Sequence, residues 1–240
     1  MVYLDNAATS FPKPEEVYVE MDAFMRNTCA NPGRSSHEMA RESAAVVMRA
    51  RENIAKLFNI ENPLRIGFTC NATMALNIAI HGVLKKGDHV ITTAMDHNSV
   101  LRPLYELKRK GIIDYTVLMP RNQFGAIEPS SITRAVRTNT KLIATTLSSN
   151  VTGMVLPYKE IGEIAKRRGI LYLLDCSQGA GVLPVDVKNM YISLLAFPGH
   201  KGLMGPQGTG GLYVNEAVSL RPIIQGGTGS RSSEQFSLIS

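Results

Sequence analysis

One lysine stands out as a residue whose surroundings could support chemistry. Lys201 lies in a turn of glycine, proline and histidine, and this turn directly follows an apolar run over 192–197. No charged residue neighbours Lys201 in the sequence, so its burial would lower the pKa of the amine. A neutral amine is the form that attacks a carbonyl cofactor. The segment therefore predicts either a Schiff-base lysine or an ordinary glycine-rich turn with an exposed lysine.

An acid upstream of this turn favours the chemical interpretation. Asp175 follows a second apolar run, over 170–174, that is typical of a buried strand. Open α/β sheets bind ligands at the carboxyl ends of their parallel strands. A carboxylate at that point can keep a pyridine nitrogen protonated, which makes the ring an electron sink. Lys201 and Asp175 together therefore point to pyridoxal phosphate as the cofactor.

The elements that must position these residues alternate between strand and helix. Apolar runs predict strands over 64–69, 89–93, 112–119, 141–147, 170–174 and 192–197, and a last strand over 210–214 that could run antiparallel. Amphipathic segments predict helices over 15–27, 73–84, 98–110, 128–137 and 158–168, and a long helix to residue 58 that begins with a capping box, Ser35 to Glu38. The alternation predicts an α/β fold with a mostly parallel sheet flanked by helices. Residues 1–14 contain Pro12 and Pro14, and they predict an extended arm.

Composition narrows the class of protein. The chain has 240 residues, of which 44% are hydrophobic, enough for one sizeable core. No apolar run approaches the roughly 18 to 20 residues of a membrane span, and we expect no secretory signal. Three cysteines without metal-like spacing suit a reducing cytoplasm and predict no metal site. The net charge of +6 is dispersed, and no basic stripe with interleaved aromatic residues predicts nucleic-acid binding.

Six short motifs give the chain a resemblance to a known family. It resembles the cysteine desulfurases among the class V aminotransferases, which are fold-type I pyridoxal-phosphate enzymes. The motifs follow the order of that family along nearly the whole chain, and they are specific jointly although each is weak alone. They are YLDNAAT at 3–9, NAT at 71–73, DHN at 96–98, SNVTG at 149–153, DCSQ at 175–178 and GHKG at 199–202.

The resemblance implies a set of site residues. Lys201 would hold the cofactor and remove the substrate Cα proton, Asp175 would keep the pyridine nitrogen protonated, and His97 would stack on the ring and shuttle protons. The full set for cofactor binding is Ala72, Thr73, His97, Asn150, Asp175, Gln178, His200, Lys201 and Thr228. The set for substrate binding is Ala7, Ala8 and Asn150.

Several of these assignments carry a particular expectation. Ala72 and Thr73 could bind phosphate at a helix start or could form an ordinary helix cap. Thr228 would reach the phosphate of a neighbouring subunit, which implies a homodimer with shared sites. The family usually carries Ser or Thr where this chain has Pro198, so one hydroxyl that binds the phosphate is missing. The family also often has Glu where this chain has Met74. His81 and His89 match nothing in the family and are expected at the surface.

The activity implied is removal of sulfur from L-cysteine, which leaves L-alanine and an enzyme persulfide that a sulfur-acceptor protein could receive. None of Cys29, Cys70 and Cys176 matches the family's nucleophilic cysteine. The alternatives are another class V reaction (aminotransferase, selenocysteine lyase or epimerase) and a catalytically incomplete fragment that binds the cofactor.

The resemblance also implies a domain organisation. Residues 15–225 would form the cofactor-binding large domain, and residues 226–240 would begin the connection to a C-terminal small domain. We expect this chain to be the front part of a longer protein. By itself it would bind the cofactor weakly, show little desulfurase activity and tend to aggregate.

Overall fold

The strands of this computed structural model join into one sheet. The described residues are 2–33, 37–123 and 125–225. Their strands are β1 (Ile66–Thr69), β2 (His89–Thr93), β3 (Asp114–Leu118), β4 (Thr140–Thr146), β5 (Leu171–Asp175), β6 (Leu194–Pro198) and β7 (Gly210–Val214). The order across the sheet is β1-β7-β6-β5-β4-β2-β3. β7 pairs antiparallel with both β1 and β6, and the other pairs are parallel.

The helices mostly connect successive strands. They are α1 (Glu15–Asn27), α2 (Glu38–Phe58), α3 (Ala72–Val83), α4 (Asn98–Arg109), α5 (Pro129–Ala135) and α6 (Tyr158–Arg168). The predicted alternation, and with it the predicted fold class, is confirmed. None of the helices in the described part of the chain combines the length and the apolar character needed to cross a membrane.

Side chains from each strand feed two hydrophobic layers, one on each face of the sheet. Leu173 packs with α3 and α4, whereas its neighbour Leu174 packs with residues of α2, α5 and α6. Successive side chains of a strand point to opposite faces, so alternate residues of each strand contribute to different layers. The same rule places Cys176 with Leu174, on the face of the sheet opposite to the Asp175 side chain.

Several predicted element boundaries are shifted by one or two residues, and two of the differences have clear local reasons. Leu64 and Arg65 belong to a 3-10 turn, Pro63–Arg65, because Pro63 favours a helical start and the Asn62 side chain accepts a hydrogen bond from Leu64 N. Helix α2 begins at Glu38, so this glutamate is the first helical residue and not the third residue of a capping box. The cap is His37, whose Nδ1 accepts a hydrogen bond from Ala40 N at 3.3 Å.

His89 was predicted at the surface, and this prediction is wrong. The ring is fully buried at the start of β2. Its Nδ1 lies 2.9 Å from Thr140 Oγ1, and its Nε2 lies 2.9 Å from Thr116 Oγ1. Burial, followed by the charge of Arg137, lowers the pKa of this histidine. Two threonine hydroxyls satisfy both ring nitrogens, which is why a polar side chain is tolerated there. His81, the other histidine assigned to the surface, is half-buried in α3.

Candidate active site

Four parallel strands bring polar residues to one edge of the sheet. β5 ends at Asp175, and β6 runs directly into the turn that carries Lys201. The connections that follow β2 and β4 supply His97 and Asn150. These side chains line one cavity, because the carboxyl ends of parallel strands share an edge.

The structure brings together most of the predicted site residues. Eight of them line this cavity: Ala72, Thr73, His97, Asn150, Asp175, Gln178, His200 and Lys201. Ala7 and Ala8 are exposed and lie outside its lining, although the Ala7 carbonyl accepts a hydrogen bond from Gln178 Nε2 at 3.0 Å. Thr228 lies outside the described residues.

Asp175 is the buried acid of the site. It is 2% exposed, and both Ser177 N and Ser177 Oγ donate hydrogen bonds to its Oδ1. Burial raises the pKa of this carboxyl, while the Ser177 hydrogen bonds and the charges of His97 and Lys201 oppose the rise. Because both bonds engage Oδ1, Oδ2 is the oxygen that can accept a hydrogen bond from a ligand.

Lys201 faces Asp175 across the same cavity. Its side chain is half-buried, and burial lowers the pKa of its amine, although the charge of Asp175 partly offsets this. The direction agrees with the prediction made from the apolar run and the uncharged turn. A lysine with a lowered pKa is more often in the neutral, nucleophilic form at neutral pH.

Close backbone packing fixes the turn of Lys201 against the turn that follows Asp175. A Cβ at Gly202 would come within 2.4 Å of the Ala180 carbonyl oxygen, and one at Gly181 would come within 2.7 Å of the Gly202 oxygen. Gly181 also has a φ of +77°, which other residues rarely adopt. Glycine is therefore required at both positions for the two turns to touch.

The N-terminal arm holds the other side of the lysine turn. The His200 carbonyl accepts hydrogen bonds from Thr9 Oγ1 at 2.8 Å and from Ser10 N at 3.0 Å. Lys13 Nζ lies 3.4 Å from the same oxygen. The arm itself contains a turn in which Ala8 N donates to the Asp5 carbonyl. Residues from the start of the chain thus position a loop near its end.

The start of α3 presents N–H groups that could bind an anion. Asn71 caps this helix by accepting a hydrogen bond from Met74 N at 2.8 Å, and the preceding N–H groups of Ala72 and Thr73 have no acceptor within the helix. Across the cavity, His200 Nδ1 is buried and has no hydrogen-bond partner among the described residues. Burial, then the charges of Lys201 and Lys13, lower the pKa of His200. These donors suit a phosphate group.

Asp96 secures the connection that carries His97, a role that the sequence motif did not reveal. The carboxylate is 6% exposed and accepts hydrogen bonds from Thr92 Oγ1 at 2.9 Å, from Thr93 N at 2.7 Å and from Thr93 Oγ1 at 2.8 Å. Its second oxygen accepts a hydrogen bond from Thr146 N at the end of β4. Burial raises its pKa to about 7 against the lowering effect of these bonds. Asp96 thus ties the end of β2 to the end of β4.

The cavity also has polar lining residues that the sequence did not single out. They are Ser99, Thr146, Ser148 and Ser177. Ser177 alone carried a usable signal, because it follows the strand-ending acid by two residues and can therefore reach back to it.

The three cysteines lie outside the cavity lining. Cys29 and Cys70 are exposed, and the Cys70 sulfur lies 3.5 Å from the Met74 sulfur. Cys176 is fully buried, and burial raises the pKa of its thiol well above the ordinary value. A buried thiol with a raised pKa is a poor nucleophile.

The fold and the site define an α/β protein with a lysine, a buried acid and a helix start at the carboxyl edge of its sheet. Comparison with known proteins identifies the family. The profile of the Aminotransferase class-V family matches residues 2–237, and the chain belongs to this family. Class V aminotransferases depend on pyridoxal phosphate.

The relatives include proteins named cysteine desulfurase IscS. The one from Dictyoglomus turgidum is 36% identical over 232 residues, which cover 95% of this chain and 57% of that protein. The one from Methanosarcina thermophila is 35% identical over 234 residues, covering 96% of this chain and 56% of that protein. The chain thus spans a little over half the length of these relatives.

Solved structures show the same fold. The structure titled SspA in complex with cysteine has a TM-score of 0.89 and 33% identity, and the match covers 95% of this chain and 66% of that one. The apo cysteine desulfurase of Thermococcus onnurineus NA1 has a TM-score of 0.86 and 31% identity, with 94% and 57% covered. The predicted resemblance and fold are therefore confirmed.

Proposed function

We propose that this chain is the pyridoxal-phosphate-binding part of a cysteine desulfurase that acts on L-cysteine in a reducing cytoplasm. The observation that carries the proposal is the pair formed by Lys201 and Asp175. A half-buried lysine with a lowered pKa and a fully buried acid share one cavity at the carboxyl edge of a mostly parallel sheet.

The residues present fit the proposed cofactor. The buried, unpartnered His200 Nδ1 and the start of α3 at Ala72 and Thr73 would hold the phosphate. Asp175 would bind the pyridine nitrogen, and the imidazole of His97 would lie on the ring. Asn150 and Gln178 would supply amide groups for the phenolic oxygen and the substrate carboxylate.

When bound, pyridoxal phosphate supplies an electron sink for a carbanion at the substrate Cα. Lys201 Nζ would hold the cofactor and, once released by the substrate amine, would take the Cα proton. The Asp175 carboxylate would favour the protonated ring nitrogen and so strengthen the sink. The buried position of this acid keeps water away from that contact.

The sulfur-transfer step needs a thiolate that this cavity lacks. In the proposed reaction a cysteine thiolate attacks the substrate sulfur, the Cβ–S bond breaks, Cβ takes up a proton, and Cα regains the proton that Lys201 removed, which gives alanine. The sulfur stays on the attacking cysteine as a persulfide. Since Cys29, Cys70 and Cys176 all lie outside the cavity lining, we propose that the nucleophile comes from another segment or another chain.

The position of all three cysteines outside the cavity lining also favours a second candidate, a protein that binds the cofactor without turnover. A protein of this kind would bind pyridoxal phosphate at Lys201 and release no product. Other class V reactions remain as alternatives, and each gives its own product: a keto acid, an inverted amino acid, or selenide from selenocysteine.

Product analysis tests the proposed function. The protein is loaded with pyridoxal phosphate and incubated with L-cysteine and a dithiol, and sulfide, alanine, keto acid and D-cysteine are measured. The variant Lys201→Ala is the matched control. We expect alanine and sulfide in equal amounts, at a slow rate, with the dithiol as sulfur acceptor. Loading without any product would favour the non-catalytic unit, and a keto acid or D-cysteine would contradict desulfuration.

A further inference from the structure

Three polar side chains in the cavity wall are joined by consecutive hydrogen bonds. Thr73 Oγ1, in the first turn of α3, lies 2.7 Å from Ser99 Oγ, in the first turn of α4. Ser99 Oγ lies 2.9 Å from His97 Nδ1, and Ser99 N donates a hydrogen bond to the same Nδ1 at 3.1 Å. Ser99 is only 8% exposed, so little water competes for these bonds.

The direction of each bond in this chain follows from its donors. A backbone N–H can only donate, so His97 Nδ1 must be an acceptor, and the proton of the neutral ring lies on Nε2. The Ser99 hydroxyl then donates its proton to Nδ1. Its oxygen is left to accept the proton of the Thr73 hydroxyl.

This arrangement gives Thr73 two competing partners. A hydroxyl has one proton, and the Thr73 proton is used by Ser99 when no anion is present. A phosphate oxygen at the start of α3 is an acceptor only, so it would draw this proton away from Ser99. The hydrogen bonding of Ser99, and through it that of His97, would then change.

We propose that Ser99 is a positioning residue that links the phosphate corner at Thr73 to the ring of His97 and holds this ring as the Nε2–H tautomer. The inference rests on the proposed function for the identity of the phosphate. It assigns to Ser99 no contact with the reacting atoms. Its effect on the reaction would pass through the orientation of His97.

The first test reads the tautomer directly and needs no cofactor. Protein labelled with ¹⁵N-histidine is studied by NMR above the titration of the ring, and His97 is assigned from the spectrum of His97→Gln. We expect an unprotonated Nδ1 and a protonated Nε2. A proton on Nδ1 would overturn the inference.

The second test measures the link to the phosphate corner. Pyridoxal phosphate is titrated into Ser99→Ala and followed by visible absorbance and circular dichroism. Ser131→Ala is the matched control, since Ser131 lies in the first turn of α5 and donates to the Glu128 carbonyl. We expect Ser99→Ala to lower the Kd about three- to tenfold, because the Thr73 proton no longer has to leave Ser99, and to alter the visible dichroism through the ring of His97. Ser131→Ala should do neither.

The outcomes separate this inference from the function on which it rests. If Ser99→Ala binds the cofactor with the affinity and dichroism of Ser131→Ala, the link from Ser99 to the cofactor is wrong. If the wild-type protein takes up no cofactor at all, the proposed function fails, and the tautomer of His97 still tests the hydrogen-bond directions inferred for His97 and Ser99.

Discussion

At the scale of single residues, the site depends on a lysine and an acid, and burial shifts their pKa values in opposite directions. Burial favours the neutral amine of Lys201 and the neutral carboxyl of Asp175, whereas the attraction between the two charged groups favours their ionised forms. A cation placed against Asp175, such as a protonated ring nitrogen, would offset the cost of burying the carboxylate. The acid is thus arranged for a positively charged partner.

This arrangement predicts the effect of Asp175→Asn. The amide is neutral and does not hold a ring nitrogen protonated, so the electron sink is lost. Turnover should fall by at least a hundredfold, whereas some cofactor should still bind through the phosphate corner. Product formation and cofactor titration measure the two effects. Turnover within a few-fold of the wild-type value would show that Asp175 has a different role.

A second residue-scale prediction concerns Pro198, which ends β6, is buried and lines the cavity. Pro198→Ser adds a hydroxyl beside the proposed phosphate, and a hydrogen bond to a charged group contributes about 1.5–3 kcal/mol. The Kd for pyridoxal phosphate should therefore fall about tenfold or more. Pro198→Ala restores the N–H without a hydroxyl and is the control. Equal affinities for the two variants would rule out a contribution from the hydroxyl.

The residues of the site could be predicted from the sequence where a single side chain signals its own chemistry. Lys201 and Asp175 did so, because an isolated lysine in a glycine turn and an acid at a strand end are unusual. Ser99 gave no signal, because its importance depends on Thr73, a residue distant in sequence. The burial of His89 was missed for the same reason: its two threonine partners lie on other strands.

At the scale of elements, buried hydrogen bonds and close backbone packing fix the positions of the turns at the strand ends. Asp96 joins the end of β2 to the end of β4, and Gly202 lets the lysine turn touch the turn after β5. Periodicity predicted the strands and helices themselves, since each is a local pattern. It did not predict strand order, or the place of β7 between β1 and β6, because these depend on contacts between distant segments.

The Asp96 contact predicts a difference between two similar substitutions. Asp96→Asn places an amide N–H₂ among hydrogen-bond donors, and leaving one of them unpaired should lower the free energy of unfolding by about 1–3 kcal/mol. Asp88→Asn is the matched control, since Asp88 is also buried and caps the turn before β2 through Lys85 N at 2.8 Å. Urea unfolding and cofactor titration are measured for both.

Only Asp96→Asn should weaken cofactor binding, because only Asp96 adjoins His97. Both substitutions should lower stability. If the two variants bind pyridoxal phosphate equally well, the turn that carries His97 does not need Asp96 to keep its place.

At the scale of the whole molecule, helix α1 exposes several large apolar side chains. No residue of α1 is buried, and its exposed side chains include Tyr18, Val19, Met21 and Met25. Leu4 of the arm is 89% exposed. Exposed apolar side chains that gather on one helix are typical of a contact with another chain or segment. The proposed homodimer offers one such contact.

This surface predicts concentration-dependent self-association. The double variant Met21→Lys/Met25→Lys should shift sedimentation towards the monomer, because two charges resist burial. Glu20→Gln, on the same helix, is the control and should behave as the wild-type protein. If the double variant sediments as the wild type does, this face of α1 takes no part in association.

The most direct measurement for the whole account is the identity of the lysine that holds the cofactor. The protein is loaded with pyridoxal phosphate, reduced with borohydride and digested, and the pyridoxyl peptide is identified by mass spectrometry. Lys13→Ala and Lys201→Ala are run in parallel, since Lys13 is the other lysine beside His200. The account predicts an adduct on Lys201 in the wild-type protein and in Lys13→Ala, and none in Lys201→Ala. An adduct on Lys13, or no adduct in the loaded wild-type protein, would contradict it.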